Sequence, residues 1–366
     1  MLAGDLMAAT SRPMLLALAH VCVIGGVLSR LVSLAGSSEL VKHSLMHSAV
    51  GPGLLLTSFL LLDTWISWFD IEAAPVDAGD TEVHAHLVTI STFATVVVVE
   101  TMQLLLTHPR KLRLNVFYGL SCHIMILVTY MQMSTWSGSG AIVWKTWYGS
   151  YFWPARINLW MHSSVSQILS FAATPNVISA YGGRLVMRRV FDTYVMFVLG
   201  LICTCEPPAW FTGRWPLLYT FTLLVVAGGL LGRVMSFMHS ALPLCLHVPE
   251  GSDATSNNRV CMRVLGQVIV MSWLSFPLIW AASALGLLDH EEELVVLSLN
   301  DLVAKLSATL ALQFGQMASN QWEERTRQAG ILEASHSMVE GFKLFTQCIG
   351  HDLRTPIQAR APPYLF

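Results

Sequence analysis

Nine apolar stretches, near 14–36, 45–69, 83–107, 112–133, 152–175, 187–204, 216–240, 262–287 and 293–317, occupy most of this 366-residue chain. Each reaches or nearly reaches the roughly 20 residues that a helix needs to cross hydrocarbon. Inside a bilayer every backbone N–H and C=O must be satisfied within the protein, which restricts such segments to helices. The expected fold class is therefore all-α, a polytopic membrane protein. Charge content supports this: 12% of residues are charged, against about 25% in soluble domains. A net charge of −2 gives no basic footprint for a nucleic-acid partner, so the expected surroundings are membrane lipid.

The loops set the orientation. "HPRKLR" (108–113) and "GGRLVMRR" (182–189) are basic, whereas "DIEAAPVDAGDTE" (70–82) and "LDHEEE" (288–293) are acidic. The positive-inside rule puts the basic loops in the cytoplasm. Alternation is then consistent from residue 83 to 317, with seven spans and a cytoplasmic C-terminus. Residues 1–82 hold two added N-terminal segments, about 14–36 and 45–69. The first is read as a span, with a signal sequence as the alternative. The seven cysteines are scattered without a CxxC, and Cys203 and Cys205 form a CxC at the end of a span. All seven are read as buried free thiols, with no disulfide frame or metal site.

Residues 318–360 are mixed in polarity. Ile331, Met338, Phe342, Phe345, Ile349 and Leu353 recur every three, four or seven residues, which makes one apolar stripe on a helix suited to a coiled coil or bundle. Residues 361–366 form an irregular tail in which Pro362 and Pro363 break the helix.

The last apolar stretch contains "LSLNDLVAKLSATLAL" (297–312), with Asp301 and Lys305 near its middle. Each charge at a helix centre costs roughly 2.5–3.5 kcal/mol on insertion scales. At a spacing of four, the two share a helix face. One reading is a structural ion pair facing another helix. The sharper reading is a reactive amine with its counter-ion, because a desolvated lysine loses its proton readily and can condense with an aldehyde. In the preceding stretch, "SWLSFPLIW" (272–280) sets Trp273, Pro277 and Trp280 along one side of a kinked helix. Two tryptophans so placed make a flat wall for a rigid conjugated ligand.

These two motifs resemble those of the microbial (type I) rhodopsins, whose last helix carries Asp-x-x-x-Lys and whose sixth carries Trp-x-x-x-Pro-x-x-Trp. The resemblance spans about residues 83–317. It implies a seven-helix bundle with retinal bound as a Schiff base on Lys305, Asp301 as counter-ion, and Trp273, Pro277 and Trp280 against the retinal ring. Further matches follow in order. "ARINLW" (155–160) is similar to the start of the third helix, with Arg156 as the buried arginine and Trp160 packing on retinal. "TYMQM" (129–133) resembles the end of the second helix, where Tyr130 would hydrogen-bond the counter-ion aspartate. "MFVLG" (196–200) resembles the fourth helix, with Met196 and Gly200 against the polyene.

Two positions depart from the pumping members. Leu159 stands three residues after Arg156, where pumps carry the proton-accepting aspartate, and Ser170 stands where they carry the cytoplasmic proton donor. His162, one turn from Leu159, is read as a satisfied core or interface histidine, with proton chemistry as the alternative. Asp192, early in the fourth helix, is read as lying near the cytoplasmic surface without a special role.

"GHDLRTPIQ" (350–358) resembles the H-box of sensor histidine kinases. There the histidine of a dimeric helical hairpin attacks the γ-phosphate of ATP, and the adjacent acid activates the imidazole. The resemblance implies His351 as phospho-acceptor, Asp352 as its acid, a homodimer through the C-terminal helix and a response regulator as partner. ATP and Mg²⁺ would enter only through a catalytic domain that this sequence does not contain, so it is read as truncated after the H-box. The combined reading is a histidine-kinase rhodopsin: a light sensor in the membrane coupled through its last helix to His351. The alternatives are a light-gated channel or pump, and a retinal-free membrane sensor kinase.

Overall fold

The computed structural model describes residues 50–67, 80–106, 114–147, 151–205, 216–245 and 253–359. The apolar stretch at 14–36, the loops at 70–79 and 108–113, and the 361–366 tail lie outside them. In chain order the helices are α1 (Val50–Ser67), α2 (Asp80–Leu106), α3 (Leu114–Thr135), α4 (Pro154–Ala172), α5 (Pro175–Thr204), α6 (Pro216–Ala241), α7 (Asp253–Ala284) and α8 (His290–Ala359). Between α3 and α4 the chain makes a 3₁₀ turn, Gly138–Ala141, and a short antiparallel hairpin in which Trp144 pairs with Phe152 and Lys145 with Tyr151.

Consecutive helices from α2 to α8 pack side by side, and α8 closes the ring onto α2. This is an all-α polytopic membrane architecture. Helices α2, α3, α6, α7 and the first part of α8 are long and apolar enough to cross a membrane. On α2, Val98, Val99, Met102 and Leu105 point outward, as a lipid-facing stripe requires. Helix α4 has the opposite character. It lies inside the bundle, where it touches α1, α3, α5, α6 and α8, and nearly all its side chains are buried. A helix enclosed by protein can satisfy polar side chains internally. That explains how α4 holds Arg156, Asn158, His162 and Gln167.

One boundary differs from the sequence reading. The basic segment 182–189 is not a loop but part of α5, which starts at Pro175 and bends at Gly182 (φ 72°, ψ 153°). That φ lies in a region open to glycine at little cost. Asp192 is buried, and its Oδ2 pairs with Arg189 (2.6 Å) and with Arg233 of α6 (3.2 Å). Two guanidinium groups, one from α5 and one from α6, compensate this acid. The cysteines also divide. Cys122, Cys203 and Cys245 are buried, Cys205 and Cys261 are half-buried, and Cys348 is exposed because α8 has left the bundle by then; all six are free thiols.

The helix preceding the ring is fastened by polar contacts. Asp63 of α1 accepts hydrogen bonds from Gln132 Nε2 (2.7 Å) and from Ser139 Oγ. Ser58 bonds His162 Nε2 at 3.1 Å, and Asn158 Nδ2 donates to the Phe59 carbonyl at 3.2 Å. His162 Nδ1 lies 3.0 Å from the Asn158 carbonyl. The core reading of His162 therefore holds, with α1 as its partner helix. Asp63→Ala should remove the acceptor of Gln132 Nε2 and leave Ser139 Oγ only Gln132 Oε1 at 3.2 Å, at about 1 kcal/mol for the lost hydrogen bond. Thermal unfolding in detergent should show a lower midpoint for Asp63→Ala than for the exposed control Thr57→Ala.

Candidate functional site

Helix α8 places Asp301, Lys305 and Thr309 on successive turns. Asp301 and Lys305 are both fully buried, at 0% and 1% exposure. They do not close on each other. Asp301 Oδ2 instead accepts from Tyr130 Oη of α3 (2.8 Å) and Trp160 Nε1 of α4 (2.9 Å). A carboxylate away from water needs such donors to be tolerable. Arg156 is 2% exposed; it donates through Nη2 to Ser298 Oγ (3.2 Å) and sits 5.9 Å from the centroid of the Tyr130 ring. Arg156, Tyr130 and Trp160 thus surround the acid from two other helices.

Lys305 Nζ lies 5.5 Å from the Trp273 ring centroid, a favourable place for a cation. It borders an apolar cavity of about 290 Å³. Trp160, Met196, Gly200, Trp273, Pro277 and Trp280 all line that cavity. Every residue expected at the conjugated ligand is therefore gathered around the amine, and the three expected near its counter-ion (Arg156, Tyr130, Asp301) stand together beside it. Pro277 lies inside α7, where a missing N–H and ring clash disturb the helix.

The wall holds residues that sequence patterns did not single out. Phe276 tilts against Trp160 with centroids 4.9 Å apart. Phe152, from the hairpin, and Ala227 and Gly228, from α6, also line it. A Cβ added at Gly200 or Gly228 would meet nothing within 4 Å, so both glycines leave volume open to a guest. An apolar cavity that ends at a buried primary amine, between aromatic walls, fits retinal attached to Lys305 Nζ. Pockets of this size lined by apolar and aromatic groups are ordinary cofactor sites.

Leu159 is fully buried in a cluster with Phe59 of α1, Phe93, Cys122, Met125 and Tyr130. The position that carries an acid in pumps is here a hydrocarbon contact, and the helix preceding the ring supplies one of its neighbours. Ser170 is likewise buried. His351 and Asp352 lie on the same continuous helix as Lys305, since α8 runs unbroken for 70 residues. They are far from the cavity along the helix and do not contribute to it. Of the terminal stripe, Ile331, Met338, Phe342, Phe345 and Ile349 are all exposed.

The chain is similar in structure to the transmembrane domain and linker region of the Salpingoeca rosetta rhodopsin phosphodiesterase, with TM-score 0.60 and 14% identity over 76% of this chain and 95% of that one. It is also similar to halorhodopsin, a light-driven chloride pump (TM-score 0.51, 16% identity, 68% and 99% covered). A proton-pumping rhodopsin from the marine alga Acetabularia acetabulum gives TM-score 0.51 at 13% identity, with 65% and 96% covered. No protein-family model and no curated protein matches the sequence.

Tyr130→Phe should test the geometry around the acid. It removes one of two donors to Asp301 and leaves the ring in place, at about 1–3 kcal/mol. Thermal unfolding should register that loss in the wild-type background, and little of it when Asp301 is already Asn. These likenesses give the chain its fold, that of a microbial rhodopsin: an all-α membrane bundle.

Proposed function

We propose that the protein is a retinal-binding light sensor whose last helix relays the light signal to His351. The observation that carries this reading is Lys305, a buried amine at the end of an aromatic-walled cavity with Asp301 one turn away. Bound there, retinal would supply visible absorption and a light-driven change of shape. The protein residues have separable tasks. Lys305 Nζ is the attachment point, and Asp301 keeps a negative charge beside it under the hold of Tyr130 and Trp160. Trp160, Trp273, Phe276 and Trp280 exclude water and resist any change in the shape of the guest.

Resistance in the cavity is useful for signalling only if something moves. Asn300 ties α8 to α7: its side chain donates to the Ser272 carbonyl (2.9 Å) and accepts from Ser275 Oγ (2.7 Å). Trp273 and Pro277 on α7 touch the cavity within a turn of these bonds. A displaced α7 therefore pulls on α8, and α8 is one rod of 70 residues, roughly 105 Å at 1.5 Å per residue. The exposed stripe from Ile331 to Ile349 is where a second copy would pack, as heptad-like apolar positions do. The paired helices would present His351 and Asp352 as a phospho-acceptor pair, with the C-terminus cytoplasmic and a response regulator downstream. Leu159 and Ser170, both buried without a carboxyl group, weigh against outright proton pumping, which needs titrating groups on both sides of the amine.

Two experiments test the two halves. With added all-trans retinal, the wild type should acquire a visible band that Lys305→Ala lacks; an unchanged band overturns the assignment. Gly200→Leu should fill the cavity, keep the thermal midpoint and lose the band. For the second half, purified protein supplied in trans with a histidine-kinase ATP-binding domain and labelled ATP should acquire acid-labile label, and His351→Gln should remove it. Label that persists in His351→Gln would sink the phospho-acceptor role.

A further inference from the structure

The outer surface of the α5–α6 seam carries positive charge that the two helices do not balance. Helix α5 holds Arg184, Arg188 and Arg189, helix α6 holds Arg233, and Asp192 is the only acid on either. That acid is already shared between Arg189 and Arg233, and Arg189 Nε is buried without a partner. Arg184 and Arg188 are exposed, and among the described residues no carboxylate pairs with them. The side chain of Arg233 is itself 42% exposed. Two contacts fix the register of the seam. Asp192 meets Arg233, and the Tyr181 ring packs edge-on to Phe237 with centroids 5.3 Å apart. Arg188 precedes Asp192 by one turn, and Arg184 precedes Arg188 by another. Both therefore fall between the two contacts, alongside Arg233.

The depth of this charge narrows what can answer it. Arg233 lies within the apolar span Leu218–Cys245, eight residues before the end of α6 and so roughly 12 Å from it. An arginine at that level extends its guanidinium toward the interface, and leaving the charge uncompensated there is costly. Guanidinium groups pair with phosphate through two parallel hydrogen bonds. The surface one turn deeper is apolar. Phe191, on the same face of α5 as Arg184 and Arg188, is 48% exposed. On α6, Gly229 and Gly232 are exposed, and a Cβ at either would meet nothing within 4 Å, which leaves a shallow trough beside Arg233. A soluble anion would satisfy the arginines but not the trough. A phospholipid has a group for each level: phosphate for the guanidinium groups and an acyl chain for the apolar surface below them.

We infer that the α5–α6 seam seats one anionic phospholipid from the leaflet on the side from which α8 continues. Its phosphate lies among Arg184, Arg188 and Arg233, and an acyl chain lies over Gly229 and Gly232 beside Phe191. The lipid supplies the negative charge that α5 and α6 lack and holds the two helices together past the bend at Gly182. The composition of the membrane thereby sets how firmly α5 is held on α6. This seat is separate from the cavity at Lys305 and does not depend on retinal.

The test uses the full chain without retinal, mixed in detergent with phosphatidylglycerol or with phosphatidylcholine as the neutral reference, and counts retained lipid by native mass spectrometry. Wild type should retain phosphatidylglycerol in preference. Arg184→Gln and Arg188→Gln, both exposed and unpaired, should each cut that preference about fivefold, the effect of one charge near a membrane surface, and the double variant about 25-fold. Arg263→Gln removes an exposed arginine of α7 that is not on this seam, and it should keep the wild-type preference. Equal losses in Arg188→Gln and Arg263→Gln would show diffuse attraction and overturn the seat, as would an unchanged double variant. Gly232→Phe keeps every charge but fills the trough. It should also weaken retention, and full retention there overturns the acyl position. Glycerol phosphate, which has the charge without the chains, should fail to displace the lipid at equal concentration; displacement would mark a site for free anions and overturn the lipid as occupant. A second readout is thermal unfolding in nanodiscs. Phosphatidylglycerol should raise the wild-type midpoint above its value in phosphatidylcholine alone, and the Arg184→Gln/Arg188→Gln variant should lose that difference. An equal rise in both proteins overturns the inference.

Discussion

Burying Asp301 and Lys305 on one helix is the constraint to which the rest of the bundle answers. Neither charge is stable in hydrocarbon alone, and the two are held apart rather than closed into a contact pair. The acid is therefore supplied with donors from elsewhere, Tyr130 on α3 and Trp160 on α4, with Arg156 nearby. That demand fixes α3, α4 and α8 relative to one another. It also accounts for the buried position of α4, a helix with too many polar side chains to face lipid. The amine is left with an aromatic face and a cavity instead of a carboxylate. A site that withholds the obvious partner from a buried lysine keeps its nitrogen available for chemistry.

The helix preceding the ring belongs to the same economy of contacts. It lies against the side of α4 opposite the cavity and occupies the surroundings of Leu159 with Phe59. Ser58 and Asp63 bind His162, Gln132 and Ser139. An acid at position 159 would have to enter a space filled by Phe59, Phe93 and Met125. The absence of a carboxyl group there and the presence of α1 are thus compatible features of one packed layer, not two unrelated departures.

Much of this was legible in the chain because membrane solvation leaves few options. Long apolar runs had to be helices, and the ring follows from their number and alternation. Asp301, Lys305, Trp273, Pro277 and Trp280 were readable because spacings of three and four fix a helix face. The polar end of the site was readable only through resemblance, since nothing in the spacing of Tyr130, Arg156 and Asp301 says that three helices meet there. Residues on α6 and in the hairpin were not readable at all. Ala227, Gly228 and Phe152 have no pattern that separates wall from ordinary core. The bend at Gly182 was hidden for a related reason: basic residues mark the cytoplasmic side, but a helix leaving the membrane can carry them as well as a loop can. Glu100 was the avoidable omission. It is an acid within an apolar run, and the cost argument that drew attention to Asp301 applies equally to "VVVVETMQLLL".

Helix α8 brings these consequences together along one axis. Ser298, Asp301, Lys305 and Thr309 face the interior in order, and their partners are in turn Arg156, the Tyr130–Trp160 donor pair, the cavity and His123. The same helix then emerges with Ile331, Met338 and Phe342 exposed. Over its buried part Ser298, Asp301 and Thr309 have polar partners on other helices, and over its emergent part the apolar stripe is exposed. A rod anchored so differently at its two ends does not dissipate a small rotation at the lysine within the bundle. In the light-sensing role proposed above, the Asn300 bonds to α7 would let a displacement of α7 at the Trp273 and Trp280 wall act on α8 as a whole, and the exposed stripe is where a packing partner would feel it.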